Sequence, residues 1–195
     1  MKQLVMLSGK GGTGKTVVSA AFVDLANRNG NRRTIAVDAD VDAANLELLV
    51  GGRRLEEHEF IGGMVAEIDF RRCAGCGDCQ DFCRFEAIRP ATRGWGFEVD
   101  ALACEGCATC FHQCPYEAID LVPRVAGSWY RSETRGGAPF FHARLRAAQE
   151  NSGKLVTLIR REARSTALRD GHLLTIVDGP PGIACPAIAA STGSA

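Results

Sequence analysis

A glycine-rich stretch near the N-terminus has the residue types and spacing that bind phosphate. It runs from Ser8 to Thr16 and matches the pattern G-x-x-x-x-G-K-S/T. Glycines let successive backbone N–H groups converge on one anion, and the helix that follows adds its positive N-terminal end. Lys15 would then reach the β- and γ-phosphates of a nucleotide, and the Thr16 hydroxyl would bind Mg²⁺. The predicted cofactor-binding residues of this loop are Gly11, Gly12, Thr13, Gly14, Lys15 and Thr16. A glycine-rich turn without a ligand is the alternative interpretation.

Eight of the nine cysteines form a second chemical pattern, C-x2-C-x2-C-x3-C, which occurs twice at an offset of 31 positions. The repeat extends beyond the cysteines, because Phe85-Glu86-Ala87-Ile88 is matched by Tyr116-Glu117-Ala118-Ile119 at the same offset. In such runs three thiolates bind one [4Fe-4S] cluster and the fourth binds the other cluster. We therefore predict two ligand sets: Cys73, Cys76, Cys79 and Cys114 for the first cluster, and Cys104, Cys107, Cys110 and Cys83 for the second.

Zinc is the competing metal for these cysteines, because C-x2-C pairs also bind zinc. Zinc has no use for the third closely spaced cysteine or for a fourth ligand from the other repeat. His112 lies inside the second run, where thiolates already fill four positions, so we expect a neighbour rather than a ligand. Proline follows Cys114, as the pattern expects, whereas Arg84 follows Cys83. Proline is not a ligand, so the prediction stands, and Arg84 is expected to alter the hydrogen bonding, exposure and potential of its cluster.

Carboxylates follow two apolar, strand-like segments. Asp38 and Asp40 come after Arg33 to Val37, and Asp178 comes after Leu173 to Val177. Because ligands bind at the carboxyl ends of parallel strands, we predict that these acids lie beside the phosphate loop. Asp38 and Asp40 would orient metal-bound and attacking waters, and Asp178 would join the Mg²⁺ shell. The Gly/Pro loop predicted after Asp178 would move with the γ-phosphate. The alternative interpretations are an ordinary polar strand end for Asp38 and Asp40 and a plain turn for the segment that begins at Asp178.

These sites predict an α/β fold with a parallel-sheet P-loop NTPase domain, and the cysteine runs resemble those of a ferredoxin-like α+β domain inserted into it. The predicted NTPase domain comprises residues 1–52 and 140–195, and the insert comprises residues 60–125. Strand-like Gln3 to Leu7 precedes the loop, and a crossover helix is expected from Lys154 to Arg169. Only three parallel strands are recognisable, so we expect either a domain that is incomplete at its C-terminus or a sheet that another molecule completes. In both cases we expect the isolated chain to have weak stability and weak nucleotide affinity.

The segments Lys10 to Thr16, Asp38 to Asp40 and Asp178 to Gly182 resemble the MinD/Mrp/nitrogenase iron-protein group of P-loop ATPases. That resemblance implies that Lys10 is a signature lysine reaching the nucleotide of a partner subunit. It also implies that Asp40 positions the attacking water, that Asp38 holds the Mg²⁺ shell and that Asp178 is the Walker B acid. The implied catalytic residues are Lys10, Lys15 and Asp40, and an ordinary exposed lysine is the alternative interpretation of Lys10.

Residues 69–122 resemble a bacterial-type two-cluster ferredoxin, and the whole motif order resembles MinD-superfamily ATPases with an inserted ferredoxin domain. The ninth cysteine, Cys185, follows the Asp178 loop, and a buried structural thiol is the default for a lone cysteine. Because nitrogenase-like dimers hold a bridging cluster with paired cysteines, a bridging or partner-facing role is the alternative.

Composition limits the remaining functional classes. The 195 residues carry 23 basic and 23 acidic side chains, so no electrostatic footprint of a nucleic-acid binder is present. No signal-peptide-like or membrane-spanning apolar stretch occurs, so we expect a cytoplasmic protein. Nine cysteines in such a chain indicate metal or redox chemistry.

The sequence thus predicts an ATP-binding iron–sulfur protein whose ATPase activity is coupled to electron transfer. The expected cofactors are ATP, Mg²⁺ and two [4Fe-4S] clusters. The expected partners are a second copy or a related ATPase, together with a redox partner or a cluster-accepting client. An iron–sulfur or metal-cofactor carrier or scaffold is the alternative function, and a non-catalytic binding module is a third.

Overall fold

The computed structural model describes residues 2–28, 33–146 and 152–192. The chain forms two compact units. The first combines Met1–Phe60 with Gly127–Ala195, and the second is Ile61–Ala126. In chain order the elements are β1 (Lys2–Ser8), α1 (Lys15–Arg28), β2 (Thr34–Asp38), α2 (Leu46–Val50), β3 (Arg53–Ile68), α3 (Asp78–Asp81), β4 (Ile88–Pro90), β5 (Phe97–Val99), α4 (Thr109–Gln113), β6 (Ile119–Glu133), β7 (Pro139–Leu145), α5 (Ser152–Asp170), β8 (Leu174–Pro181) and α6 (Cys185–Ser191).

A six-stranded sheet, in the order β1-β8-β2-β7-β6-β3, provides the framework. The first four strands are parallel neighbours, and β6 runs antiparallel to β7. The α/β class and the mostly parallel sheet are confirmed. The prediction of only three parallel strands is wrong, because β7 pairs with β2 through Ala36 with Phe140 and Val37 with Phe141. Both phenylalanines are fully buried, so this short segment is a core strand.

The strand β8 also continues further than predicted. It includes Asp178 and ends at Pro181, where the sequence indicated a mobile loop. A Cβ atom on Gly179 would lie 2.6 Å from Leu7 Cδ2 and 2.8 Å from the Met6 carbonyl oxygen. Glycine therefore permits β8 to approach β1 closely at this point, and the pairing continues to Ser8 with Pro181.

Apolar side chains from the sheet and its helices form the core of the first unit. One cluster of buried residues comprises Val23, Ala36, Leu46, Val50, Phe140 and Ile176. The crossover helix α5 buries Leu155, Val156, Ile159, Ala163 and Ala167, a spacing of three and four that forms one apolar face. That face packs against β2 and β7. None of the helices in the described ranges is long and apolar enough to span a membrane.

The second unit repeats its own backbone geometry at the offset of 31 positions. The amide of Asp69 donates to the Ala118 carbonyl at 2.8 Å, and the amide of Asp100 donates to the Ala87 carbonyl at 2.7 Å. Each aspartate then accepts a 2.9 Å hydrogen bond from the backbone amide two residues later. Glu86 and Glu117 share the left-handed conformation, with φ of 51° and 49°. The sequence repeat is therefore a repeat of local structure, with two equivalent halves.

Candidate functional site

The glycine-rich loop connects the end of β1 to the start of α1. Gly12 and Gly14 have φ of +74° and +82°, a conformation that side chains rarely adopt. The Ser8 hydroxyl donates to the Lys10 carbonyl at 2.8 Å and braces the entry to the loop. The helix α1 begins at Lys15, so its unpaired N-terminal amides lie at the end of the loop. This geometry provides an anion-binding site at a helix N-terminus.

The carboxylates predicted near the loop occupy neighbouring strand ends. Asp38 is opposite Asp178 in the β2–β8 register, and the Ala39 amide donates to the Asp178 carbonyl at 2.7 Å. Both side chains are almost fully buried. Lys15 acts electrostatically on Asp40, so the loop lysine and this acid belong to one site. The structure thus brings Asp38, Asp40, Asp178 and Lys15 to the carboxyl edge of the sheet.

Asp178 presents one paired and one unpaired oxygen. Its Oδ1 accepts a 2.8 Å hydrogen bond from the Ser19 hydroxyl, whereas Oδ2 is buried without a hydrogen-bond partner in the part of the chain that the structure describes. Leaving a buried carboxylate oxygen unsatisfied is costly. A hydrated Mg²⁺ ion would satisfy Oδ2, so the residues present fit the metal that accompanies a bound nucleotide.

Asp38 uses both carboxylate oxygens to fix the loop that follows β2. Its Oδ1 accepts from the Asp40 amide at 3.1 Å, and its Oδ2 accepts from the Leu46 amide at 3.0 Å. Burial raises the pKa of Asp38 to about 7; the charge of Asp178 adds to the rise, and the two N–H donors oppose it. Burial also raises the pKa of Asp40, against the lowering effect of Lys15. Asp38 therefore holds Asp40 and the start of α2 in place, and its role in the Mg²⁺ shell stays a prediction.

Ser19 is a site residue that the sequence interpretation missed. Its hydroxyl lies 2.8 Å from Asp178 Oδ1 and 3.0 Å from the Lys15 carbonyl oxygen, and its side chain is completely buried. A hydroxyl carries one hydrogen, so these two acceptors compete for it. The signal in the sequence was a serine one helical turn after Lys15 in the predicted helix. In the structure this residue lies on the side of α1 that contacts β8.

The short helix α2 is held by a charged cluster behind this loop. Arg54 donates to both carboxylate oxygens of Glu47 at 3.2 and 3.3 Å, and Arg144 lies 3.5 Å from the same group. His142 Nδ1 lies 3.8 Å from Glu47 Oε2, and its Nε2 forms a 2.9 Å hydrogen bond with the Ser132 hydroxyl. Burial lowers the pKa of His142 to about 4, although the Glu47 charge opposes this shift.

The remaining nucleotide-site residues are placed as follows. Lys10 is exposed in the loop, and Thr16 is half-buried in the first turn of α1. Cys185 is exposed at the start of α6, so the default of a buried structural thiol is wrong at this position. The roles predicted for these three residues stay predictions.

Two cavities in the second unit are each lined by four cysteines. The first contains Cys73, Cys76, Cys79 and Cys114, and the second contains Cys83, Cys104, Cys107 and Cys110. Three members of each set come from one repeat and the fourth comes from the other. The structure therefore brings together the two sets that the spacing predicts, and their binding of iron stays a prediction. His112 is exposed and packs edge-on against Phe111.

The thiols of the two cavities differ in their surroundings. Burial raises the pKa of Cys79 to about 11 and also raises that of Cys110. The pKa of Cys107 is lowered, first by hydrogen bonding with Thr109 and also by the charge of Arg84. Within the described ranges, no three His, Cys, Asp or Glu side chains are grouped so that they could hold a metal ion.

Comparison with known proteins agrees with the nucleotide site. Residues 4–179 match the model of the CobQ/CobB/MinD/ParA nucleotide-binding domain. An uncharacterized protein of Methanocaldococcus jannaschii is 35% identical over 186 residues, which is 95% of this chain and 62% of that protein. The chain therefore spans less than two thirds of the length of this relative.

Septum site-determining protein MinD matches over a shorter part of the chain. The protein of Buchnera aphidicola subsp. Baizongia pistaciae is 40% identical over 64 residues, covering 33% of this chain and 23% of the relative. The Escherichia coli K12 protein is 38% identical over 58 residues, covering 30% and 21%. The phosphate loop, the strand-end carboxylates and the family match over most of the chain lead to one conclusion. This chain belongs to the family of CobQ/CobB/MinD/ParA nucleotide-binding domains.

Proposed function

We propose that this chain is an ATP-binding iron–sulfur protein in which nucleotide hydrolysis in the first unit regulates electron transfer through two [4Fe-4S] clusters in the second. One observation carries the iron–sulfur part of the proposal. Each of the two cavities is lined by four cysteines, three from one repeat and one from the other. This crossed arrangement is the ligand pattern of two-cluster ferredoxins.

The chemistry of the donor set supports cubane clusters. The thiols share their cavities with apolar side chains such as Ile68, Phe97 and Leu121. The Ala87 amide lies 3.4 Å from Cys83 Sγ, and the Ala118 amide lies 3.4 Å from Cys114 Sγ, so each crossed ligand has an N–H donor. The four ligands of a cubane bind four different iron atoms. They therefore need not converge on one point as the ligands of a single zinc ion must.

The nucleotide half of the proposal depends on residues at the carboxyl edge of the sheet. Lys15 and the loop amides bind the phosphates, while Thr16 and Asp178 hold the hydrated Mg²⁺ ion. Asp40 aligns the attacking water, and Asp38 keeps Asp40 in position through its backbone amide. When bound, Mg²⁺ neutralises charge that develops on the phosphates.

Lys10 supports an ATP-dependent dimer, because it is exposed and free to reach a neighbouring molecule. The proposed partner is a second copy of this chain or a related ATPase, and a redox protein would accept the electrons. Light scattering of the wild type should show a larger species with MgATP than without it. Lys10→Ala should remain monomeric, whereas Lys2→Ala, an exposed lysine on β1, should behave as the wild type does. Dimerisation of Lys10→Ala would contradict this role.

The experiment that tests the whole proposal combines metal analysis with spectroscopy. Anaerobically prepared protein should contain roughly eight iron and eight sulfide per chain. Its reduced EPR spectrum should change on addition of MgATP, and phosphate release should be measurable. Lys15→Ala should keep the iron but lose the spectral change and the phosphate release, whereas Lys154→Ala, an exposed lysine on α5, should keep all three. If the wild type holds its full iron content but its EPR spectrum does not change with MgATP, the coupling of nucleotide hydrolysis to electron transfer is contradicted.

A cluster carrier is the second candidate, favoured by the exposure of one ligand in each set. Cys76 and Cys107 are exposed, whereas the other six ligands are half-buried or buried. An accessible ligand offers an incoming thiol a route to the cluster. A carrier should transfer its iron to an apo-ferredoxin within one incubation, whereas an electron donor should retain it through repeated cycles of reduction and oxidation.

A further inference from the structure

The internal repeat permits each residue beside one cysteine set to be compared with its counterpart beside the other. Arg84 follows Cys83, and its counterpart Pro115 follows Cys114. Thr109 precedes Cys110, and its counterpart Asp78 precedes Cys79. Charge is therefore distributed unequally around two sites whose backbones are equivalent.

The structure locates each member of these pairs at a particular cavity. Cys83 and Phe85 line the second cavity, and the Arg84 guanidinium lies 5.0 Å from the centre of the Phe85 ring. Pro115 lines the first cavity without a charge. The unmatched positive charge therefore lies at the edge of the second cavity.

The second pair acts in the same direction. Thr109 lines the second cavity with its hydroxyl oxygen 3.5 Å from Cys107 Sγ, where it can donate to a thiolate. Asp78 lines the first cavity and brings a carboxylate instead. Glu105 opposes this trend, because it lines the second cavity where Ala74 lines the first. One carboxylate therefore lines each cavity, while Arg84 and the Thr109 hydroxyl distinguish the second. Arg71 and Arg72 precede Cys73 where the uncharged Leu102 and Ala103 precede Cys104, but Arg72 forms ion pairs with Asp69 and Asp120, which offset its charge.

We infer that Arg84 makes the cluster held by Cys83, Cys104, Cys107 and Cys110 the more easily reduced of the two, so that electrons pass from the first cluster to the second. This inference rests on the proposed function. Adding an electron makes a cluster more negative, and a nearby cation or hydrogen-bond donor stabilises that state. In the transfer step, one electron leaves the reduced first cluster and enters the oxidised second cluster.

A redox titration followed by EPR tests the inference in the full chain. The wild type should show two separate reduction steps. Arg84→Gln, which keeps the backbone amide, should lower the reduction potential of the second cluster, which is reduced in the first step. At equilibrium the ratio of reduced second cluster to reduced first cluster should fall about tenfold, which corresponds to about 59 mV for one electron. Arg84→Pro should change the potential of the second cluster in the same direction, and Pro115→Arg should raise the potential of the first cluster. Because Arg84 is exposed, added salt should screen its charge and decrease the difference between the two reduction potentials.

Matched controls separate this inference from the proposed function. Arg89→Gln removes another exposed arginine of the second unit, paired with Glu98 at 3.0 Å, and should leave both steps unchanged. Iron and sulfide content is measured on every variant. If the wild type assembles no clusters, the proposed function fails and the inference fails with it. If Arg84→Gln holds its full iron content and both steps keep their wild-type potentials, the inference alone is overturned.

Discussion

Ser19 shows how one hydroxyl organises the nucleotide site before any ligand arrives. It donates toward Asp178 from inside α1, and the carboxylate it holds has one further oxygen without a partner among the described residues. The sheet supplies Asp178 at the end of β8, while the helix fixes the direction of its carboxylate. Orientation of this acid therefore depends on a residue outside the recognised motif.

Ser19→Ala should consequently weaken magnesium-dependent nucleotide binding. Hydrogen bonds to charged groups contribute about 1.5–3 kcal/mol, so the Mg²⁺ concentration for half-maximal ATP binding should rise about tenfold. Thr157→Ala is the matched control, because Thr157 also bonds its i−4 carbonyl, at 2.8 Å, but lies on α5. Equal Mg²⁺ requirements in both variants, measured by fluorescent-nucleotide titration, would show that the bond to Asp178 has no role.

His142 predicts a pH dependence of stability. It is completely buried between Phe140 and Tyr130, and burial lowers its pKa to about 4 from an ordinary value near 6.5. His142 binds a proton more readily in the unfolded chain than in the folded chain. Its contribution to the unfolding free energy is therefore complete above pH 6.5 and is lost as the pH falls toward 4. Between pH 8 and pH 5 the loss should amount to about 2 kcal/mol.

Urea unfolding of His142→Gln and the wild type at both pH values measures this effect. The glutamine can retain a hydrogen bond to Ser132 but does not titrate in this range. The variant should therefore lose about 2 kcal/mol less unfolding free energy than the wild type between pH 8 and pH 5. His58→Gln alters an exposed histidine and should follow the wild type. A parallel decline in all three proteins would contradict the assignment to His142.

At the scale of elements, α2 links the Asp38 loop to the antiparallel side of the sheet. Its first amide binds Asp38, and Glu47 binds Arg54 of β3 and Arg144 of β7. Glu47 is largely buried, at 16% side-chain exposure, and burial alone would raise its pKa. The hydrogen bond from Arg54 and the neighbouring positive charges instead lower the pKa of Glu47, so it serves as an ionised anchor.

Glu47→Gln should loosen α2 and with it the Asp38 loop. Removing the charge from a partly buried pair leaves Arg54 and Arg144 without their anion, so the Leu46 amide should exchange with deuterium at least tenfold faster. Glu133→Gln removes a more exposed partner of Arg53 and provides the control, because exposed pairs contribute only about 0–1 kcal/mol. Unchanged exchange at Leu46 in Glu47→Gln would show that α2 is held by packing alone.

Local chemistry allowed parts of this architecture to be predicted. The phosphate loop and the strands leading to Asp38 and Asp178 have strong signals, because glycine spacing and buried β-branched runs leave few alternatives. Strand β7 was missed because a short segment containing His142 and Arg144 has no clear period, and its burial depends on β2 and β6. The extension of β8 through Pro181 was missed because Gly-Pro-Pro usually ends a strand, and only the close approach to β1 explains it.

At the scale of the whole molecule, the chain combines a family domain with a unit that has a separate internal repeat. The family match covers residues 4–179, whereas the two MinD relatives align over only 64 and 58 residues. The second unit, Ile61–Ala126, leaves several of its large apolar side chains exposed, among them Phe70, Phe82 and Trp95. Its core consists of Val65, Ala66, Ala87, Cys104 and Ile119, with four further cysteines packed around it.

If the second unit holds the two clusters of the proposed function, such a small core predicts that its folding depends on them. Domains of this size rarely gain more than about 3–5 kcal/mol from apolar burial alone, and thiols that lose their iron no longer connect the two repeats. Arg71, Arg84 and Arg93 are exposed, and removing the clusters with an anaerobic chelator should unfold the backbone around them and allow trypsin to cleave there. The chain should remain uncleaved at the arginines of α5, because this helix belongs to the first unit and packs on a separate core.

Mass spectrometry of the tryptic fragments locates the cleavage sites. Cys79→Ser should reproduce the pattern of the chelated protein without chelator, because it removes a half-buried ligand of the first set. Cys185→Ser is the matched control, since this exposed cysteine lies outside both sets, and its digestion should equal that of the iron-loaded wild type. Equal resistance of the second unit with and without iron would mean that its apolar core is sufficient. If trypsin cleaves both units at the same time, the second unit also stabilises the nucleotide-binding fold. The order in which the two units are cleaved therefore shows whether they fold independently or together.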